Sequence, residues 1–66
     1  MAKITLWEVR QEKELKLEAI AAETGVSISE LNRIENNRVS PSINTLEKIA
    51  KGMQCRISDL FESEYK

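Results

Sequence analysis

The sequence predicts an all-α domain of five short helices, and three observations carry that prediction. Only two glycines and one proline interrupt its 66 residues. β-Branched residues nowhere alternate with polar ones over the length of a strand, while apolar residues recur at the three- and four-residue spacing of a helix face. Capping residues stand where helices joined by connections of about 2–6 residues would begin. A chain of this length is one small domain, residues 1–66, and buries only about 60% of the surface its unfolded form exposes.

The first helix opens at Thr5, where a hydroxyl followed three residues later by Glu8 spells a capping box. Leu6, Val9, Arg10 and Lys13 then share one face. The second runs from about Leu17 to Thr24, with Leu17, Ile20 and Ala21 inward, and stops at Gly25, which accepts a left-handed backbone. Ser27 and Glu30 form a second capping-box signature at the start of the third helix, whose buried residues are Leu31 and Ile34. That helix ends at Asn36-Asn37, since asparagine tolerates a positive φ. After Pro41, Ser42 caps a fourth helix carrying Ile43, Leu46, Ile49, Ala50 and Met53. A short fifth helix places Ile57, Leu60 and Phe61 against the rest.

Composition excludes several classes of function. There is no histidine, and Cys55 is the single cysteine, so neither a disulfide framework nor a Cys/His zinc site is available. No catalytic residue, metal ligand or cofactor is expected. Cys55 reads as a small buried hydrophobe, because nothing beside it in the sequence would activate a thiol. No apolar run approaches a membrane span or signal peptide, which predicts a soluble, cytoplasmic chain. Ten Lys and Arg against eleven Asp and Glu give a net charge of −1. Residues 1–56 carry nine basic and eight acidic side chains, so the overall charge neither requires nor excludes nucleic acid.

Residues 17–36 have the proportions of a helix-turn-helix: two helices joined by the tight turn Thr24-Gly25-Val26-Ser27. Ala21 and Ala22 allow close approach at the crossing, and Val26 is the apolar plug of the turn. With Leu31 and Ile34 inward, the outward rows of the third helix are Ile28–Asn32–Asn36 and Ser29–Arg33. Arginine bridges guanine O6 and N7, asparagine bridges adenine N6 and N7, and isoleucine packs on a thymine methyl. By composition alone this is an ordinary solvated polar face. Ile28 is the exception, a β-branched apolar residue exposed at a helix start.

The chain resembles the Cro/lambda-repressor class of helix-turn-helix domains, also called Xre-type, from about Leu6 to Phe61. The resemblance is carried by Leu6–Arg10, by Ile20-Ala21 with Thr24-Gly25-Val26-Ser27, by Leu31 with Ile34-Glu35-Asn36-Asn37, by Pro41-Ser42 with Thr45-Leu46, by Lys48-Ile49-Ala50 and by Asp59-Leu60-Phe61. It implies a five-helix fold with the third helix in the DNA major groove. Ile28, Ser29 and Arg33 match base-reading positions, with Asn32 a lesser one. Asn36 and Arg38 match contacts to the DNA backbone, and Ser42 lies where the positive end of the fourth helix suits a phosphate. Arg10 and Glu35 match a partly buried ion pair with a structural role.

Some positions depart from the pattern. Lys16-Leu17 replaces a Ser/Thr-Gln pair, so Lys16 supplies charge toward a phosphate without the glutamine's geometry. Glu14 and Gln54 stand where glycines often follow helices, and Arg56 where a serine often caps. Trp7 replaces a basic residue on the outer face of the first helix. It is either half-covered by the termini, with Tyr65 as a candidate lid, or an anchor for a protein partner. The expected function is that of a sequence-specific transcriptional regulator, a repressor binding double-stranded DNA as a homodimer on an inverted repeat. Ile57, Leu60 and Phe61 would supply the dimer surface. The alternative is a protein-interaction module on the same fold, antitoxin-like or a scaffold subunit. The family is most common in bacteria, phages and mobile elements.

Overall fold

A computed structural model describes residues 2–66. Four α-helices build the body: α1 (Leu6–Lys13), α2 (Leu17–Thr24), α3 (Ile28–Glu35) and α4 (Ile43–Met53). Their apolar faces meet in one core, in which Leu6, Ile20, Leu31, Ile34, Ile49 and Leu60 are fully buried. Each such side chain contributes about 1.5–3 kcal/mol through removal from water. α4 packs chiefly on α2, and α2 on α3. α4 thus braces the helix pair from behind and leaves the far side of α3 open.

The expected fifth helix is a single 3-10 turn, Ile57–Leu60, followed by an extended Phe61. Strand β2 (Phe61–Glu62) pairs antiparallel with β1 (Lys3–Ile4) in the register Lys3 to Glu62 and Ile4 to Phe61. The reason is competition. Asp59 holds the turn by accepting the Arg56 N–H on Oδ2 at 3.0 Å, but one turn is too short to propagate. The next residues find backbone partners on the amino-terminal segment instead. The fold is therefore four helices, a 3-10 turn and a two-stranded sheet.

Thr5 takes part in the same closure, which corrects its expected role. It makes no side-chain cap to α1. Its hydroxyl donates to the Asp59 carbonyl at 2.9 Å and its N–H donates to the Leu60 carbonyl at 2.9 Å. Asn37 completes the junction: Ile4 N–H donates to Asn37 Oδ1 at 2.8 Å, and Asn37 Nδ2 donates back to the Ile4 carbonyl at 3.3 Å. The loop after α3 is in this way clamped to the terminal sheet.

Helix ends follow a repeated logic. α1, α3 and α4 each end in a residue with positive φ, namely Glu14, Asn37 and Gln54. In each case the next N–H reaches back five residues: Leu15 to Arg10, Arg38 to Arg33 and Cys55 to Ala50. This is the Schellman arrangement, built without glycine. Among the described residues only α2 ends on a glycine, Gly25, with φ +78°. At the amino ends, Ser27 Oγ accepts from Glu30 N–H and Ser42 Oγ from Thr45 N–H, both at 3.1 Å. Among the described residues Glu30 makes no reciprocal bond, so only half of that capping box forms.

Candidate nucleic-acid interface

The turn between α2 and α3 is stitched by one hydroxyl. Thr24 Oγ1 donates to the Ile20 carbonyl at 2.7 Å and accepts the Val26 N–H at 3.1 Å. Gly25 N–H closes the α2 end on the Ala21 carbonyl at 2.9 Å. Val26 is buried beneath the turn. The sequence places Thr24 in the turn with Gly25 and Val26, but the stitching role of its hydroxyl was not expected.

α3 leaves this turn with Leu31, Ile34 and Glu35 buried and every other residue from Ile28 to Asn36 exposed. Ile28 is 46% exposed at the first turn, an apolar side chain with no place in the core. Ser29, Asn32 and Arg33 lie beside and beyond it on the outward surface, Arg38 is exposed after the helix, and Lys16 is exposed at the start of α2. Ser42 caps α4 while also lying 3.1 Å from Thr45 Oγ1, at the helix end where the dipole is positive.

Asn36 is engaged within the helix. Its Nδ2 donates to the Asn32 carbonyl at 2.9 Å and to Asn32 Oδ1 at 3.1 Å. A carboxamide nitrogen has two hydrogens. A phosphate contact through the Asn36 amine therefore requires it to leave this arrangement.

Glu35 is buried because Arg10 meets it. Glu35 Oε1 accepts from Arg10 Nη2 at 2.6 Å and Nε at 3.1 Å, and Arg10 Nη1 donates to the Leu15 carbonyl at 3.2 Å. The pair ties α1 to the last turn of α3 and takes both charges out of the surface field. What remains exposed on and just after α3 is Arg33 and Arg38 against Glu30, while Lys16 at the start of α2 is exposed alongside Glu18 and Glu23 of that helix.

Three side chains stand differently from the sequence reading. Leu60 is fully buried inside the monomer and offers no surface to a second chain, whereas Ile57 and Phe61 are partly exposed. Ile43 is 64% exposed instead of joining the α4 core stripe. With Ile4, Val39, Pro41 and Phe61 it lines an open groove of about 780 Å³ beside the loop after α3. Trp7 is 51% exposed on α1, and Tyr65, at 90% exposed, is no lid for it. Cys55 packs at the edge of the core, and burial raises its thiol pKa, with Asp59 acting in the same direction and Lys13 opposing. A thiol held protonated in this way is a poor nucleophile.

Among the described residues no cluster of acidic or cysteine side chains is arranged to hold a metal ion, and no helix is long and apolar enough to cross a membrane. A family model described as helix-turn-helix matches residues 8–60. The chain is 37% identical over 57 residues to the HTH-type transcriptional regulator DdrOP3 of Deinococcus deserti, covering 86% of this chain and 44% of that protein. It is 43% identical over 54 residues to the HTH-type transcriptional regulator SutR of Escherichia coli, 82% of this chain and 30% of SutR. Against the HTH-type transcriptional regulator PuuR of Escherichia coli the identity is 34% over 61 residues, 92% of this chain and 33% of PuuR. The chain thus spans less than half the length of these relatives.

Proposed function

The chain belongs to the Xre/Cro-like helix-turn-helix family, and on that premise we propose that it is a sequence-specific DNA-binding module of a transcriptional regulator. The observation that carries the reading is the outward surface of α3. Ile28, Ser29, Asn32 and Arg33 are exposed there while Leu31 and Ile34 anchor the helix from behind. α3 would lie in the major groove, with Arg33 on a guanine and Ile28 against a thymine methyl. Arg38, Lys16 and the Ser42 end of α4 would meet phosphates.

So few cations neutralise only a few phosphates, which makes binding by one subunit weak. A homodimer on an inverted repeat, acting as a repressor in a bacterial cytoplasm, is the arrangement we favour. Its apolar surface would be Phe61 with Val39 and Ile43 rather than Leu60. The test is selection of bound duplexes from a random library at two salt concentrations. An enriched palindrome whose binding weakens with salt is the expected result; absence of enrichment by folded protein would refute the proposal. The exposed Trp7 supports the second reading, a protein-interaction module. A complex formed through the Trp7 face by protein lacking DNA affinity would favour it.

A further inference from the structure

Asn32 and Asn36 stand one helical turn apart on the outward row of α3, and their carboxamides can interact in only one orientation. The Asn32 backbone carbonyl is an acceptor, so the group facing it from Asn36 is Nδ2, at 2.9 Å. The reverse would set two oxygens against each other. With the Asn36 amine placed, Asn32 turns its own oxygen toward it, at 3.1 Å. An amine there would oppose a second donor. Each amide fixes the next, starting from a backbone atom of the helix.

A carboxamide is a rigid plate with a donor at one end and an acceptor at the other. An unrestrained asparagine presents both to adenine, donating to N7 and accepting from N6. In Asn32 the oxygen end is turned along the helix toward Asn36, and the Nδ2 end has no hydrogen-bond partner among the described residues. Guanine offers N7 and O6 as acceptors in the major groove, thymine offers O4 and adenine offers N7 beside its N6–H donor, whereas cytosine offers only a donor.

We propose that the Asn36–Asn32 clip biases Asn32 toward reading as a donor, which disfavours cytosine and favours guanine or thymine over adenine, whose N6–H donor is left facing the Asn32 Nδ2 donor beside the N7 acceptor. Asn36 in this arrangement positions Asn32 and is not itself a phosphate contact. The inference rests on the reading of α3 as the DNA-facing helix.

The experiment is duplex selection with the wild-type chain, Asn32→Ala, Asn36→Ala and Asn36→Asp, each first shown by circular dichroism to melt as a folded protein. In the wild type, one base pair should lose its preference on Asn32→Ala, and that base should be guanine or thymine, favoured over cytosine about tenfold. Asn36→Ala should move the same position toward adenine and leave the rest of the site intact. Asn36→Asp has no donor for the Asn32 carbonyl, so its carboxylate turns away and the position should shift toward adenine as it does in Asn36→Ala. Adenine at that position in the wild type would overturn the inference. So would an Asn36→Ala variant that binds all sites more weakly with its base preferences unchanged, the signature of a phosphate contact. Wild-type protein selecting no DNA would instead overturn the DNA-binding reading itself.

Discussion

Replacing Gly52 with alanine sets two effects of opposite sign against each other. Gly52 lies in the last turn of α4, and on helix propensity alone the change should stabilise by up to about 1 kcal/mol. A Cβ at that position, however, would sit 2.4 Å from Thr24 Cγ2. Non-bonded carbons rest about 3.5–4.0 Å apart, so roughly 1 Å or more of movement is required. Thr24 cannot rotate away without releasing the Ile20 carbonyl and the Val26 N–H, at a cost of about 1 kcal/mol for each bond. Moving α4 off α2 instead is overpacking, which costs about 1–3 kcal/mol. Either route outweighs the propensity gain and leaves Gly52→Ala destabilised by about 1–2 kcal/mol. For a domain of this size that lowers the melting temperature by about 5–15 °C. Thermal and urea unfolding followed by circular dichroism measure it. Thr24→Ser removes the clashing methyl and keeps the hydroxyl, so in that background Gly52→Ala should become neutral or stabilising. A single variant that melts at or above wild type would refute the argument, as would a double variant showing no coupling.

Three further outcomes are expected. Glu35→Ala leaves Arg10 beside the core with only the Leu15 carbonyl, and should destabilise by about 3 kcal/mol in urea titration, as removal of one partner of a buried pair does. Arg33→Ala should relax the preference for one base pair and cost about 1–3 kcal/mol, whereas Arg38→Ala should weaken binding to all sequences alike and flatten the salt slope by about one; competition binding against selected and scrambled duplexes separates them. Gln54→Gly relieves a left-handed residue with φ 56° and should raise stability by about 0.5–1 kcal/mol, the strain removed exceeding the entropy that glycine adds to the unfolded chain. Calorimetry would detect that gain as a higher melting temperature.

What could be read from the residues divides along the range of the interactions involved. The span of α2 is local in origin, an apolar stripe closed by Gly25, and the structure has it at Leu17–Thr24. The inward position of Leu31 and Ile34 and the exposure of Ile28 likewise follow from helical spacing. Thr5 shows where this fails. Its sequence context fits a cap, but residues 54 and 55 positions away offer its hydroxyl and N–H better partners, and nothing nearby in the chain announces them. Strands of two residues carry no alternation to detect, so the sheet and the shortened fifth helix were hidden for the same reason. Within the candidate interface, residue type and face were legible, whereas the orientation of the Asn32 amide depends on a side chain one turn away.

Asn37 has a consequence beyond holding the loop after α3. In the antiparallel register of the terminal sheet, Ile4 is the residue whose N–H and C=O point away from β2. They form the bare rim that another chain could use to continue the sheet. The Asn37 carboxamide occupies both groups, a donor and an acceptor presented like those of a neighbouring strand. Glycine at position 37 would suit the positive φ of 58° better than asparagine and, by backbone criteria alone, should be an improvement. It would also uncover an extendable edge next to the apolar groove formed by Val39, Ile43 and Phe61. In this fold the asparagine covers the edge of a short strand, and Asn37→Gly should therefore exchange a gain in local backbone comfort for a loss of solubility at high concentration.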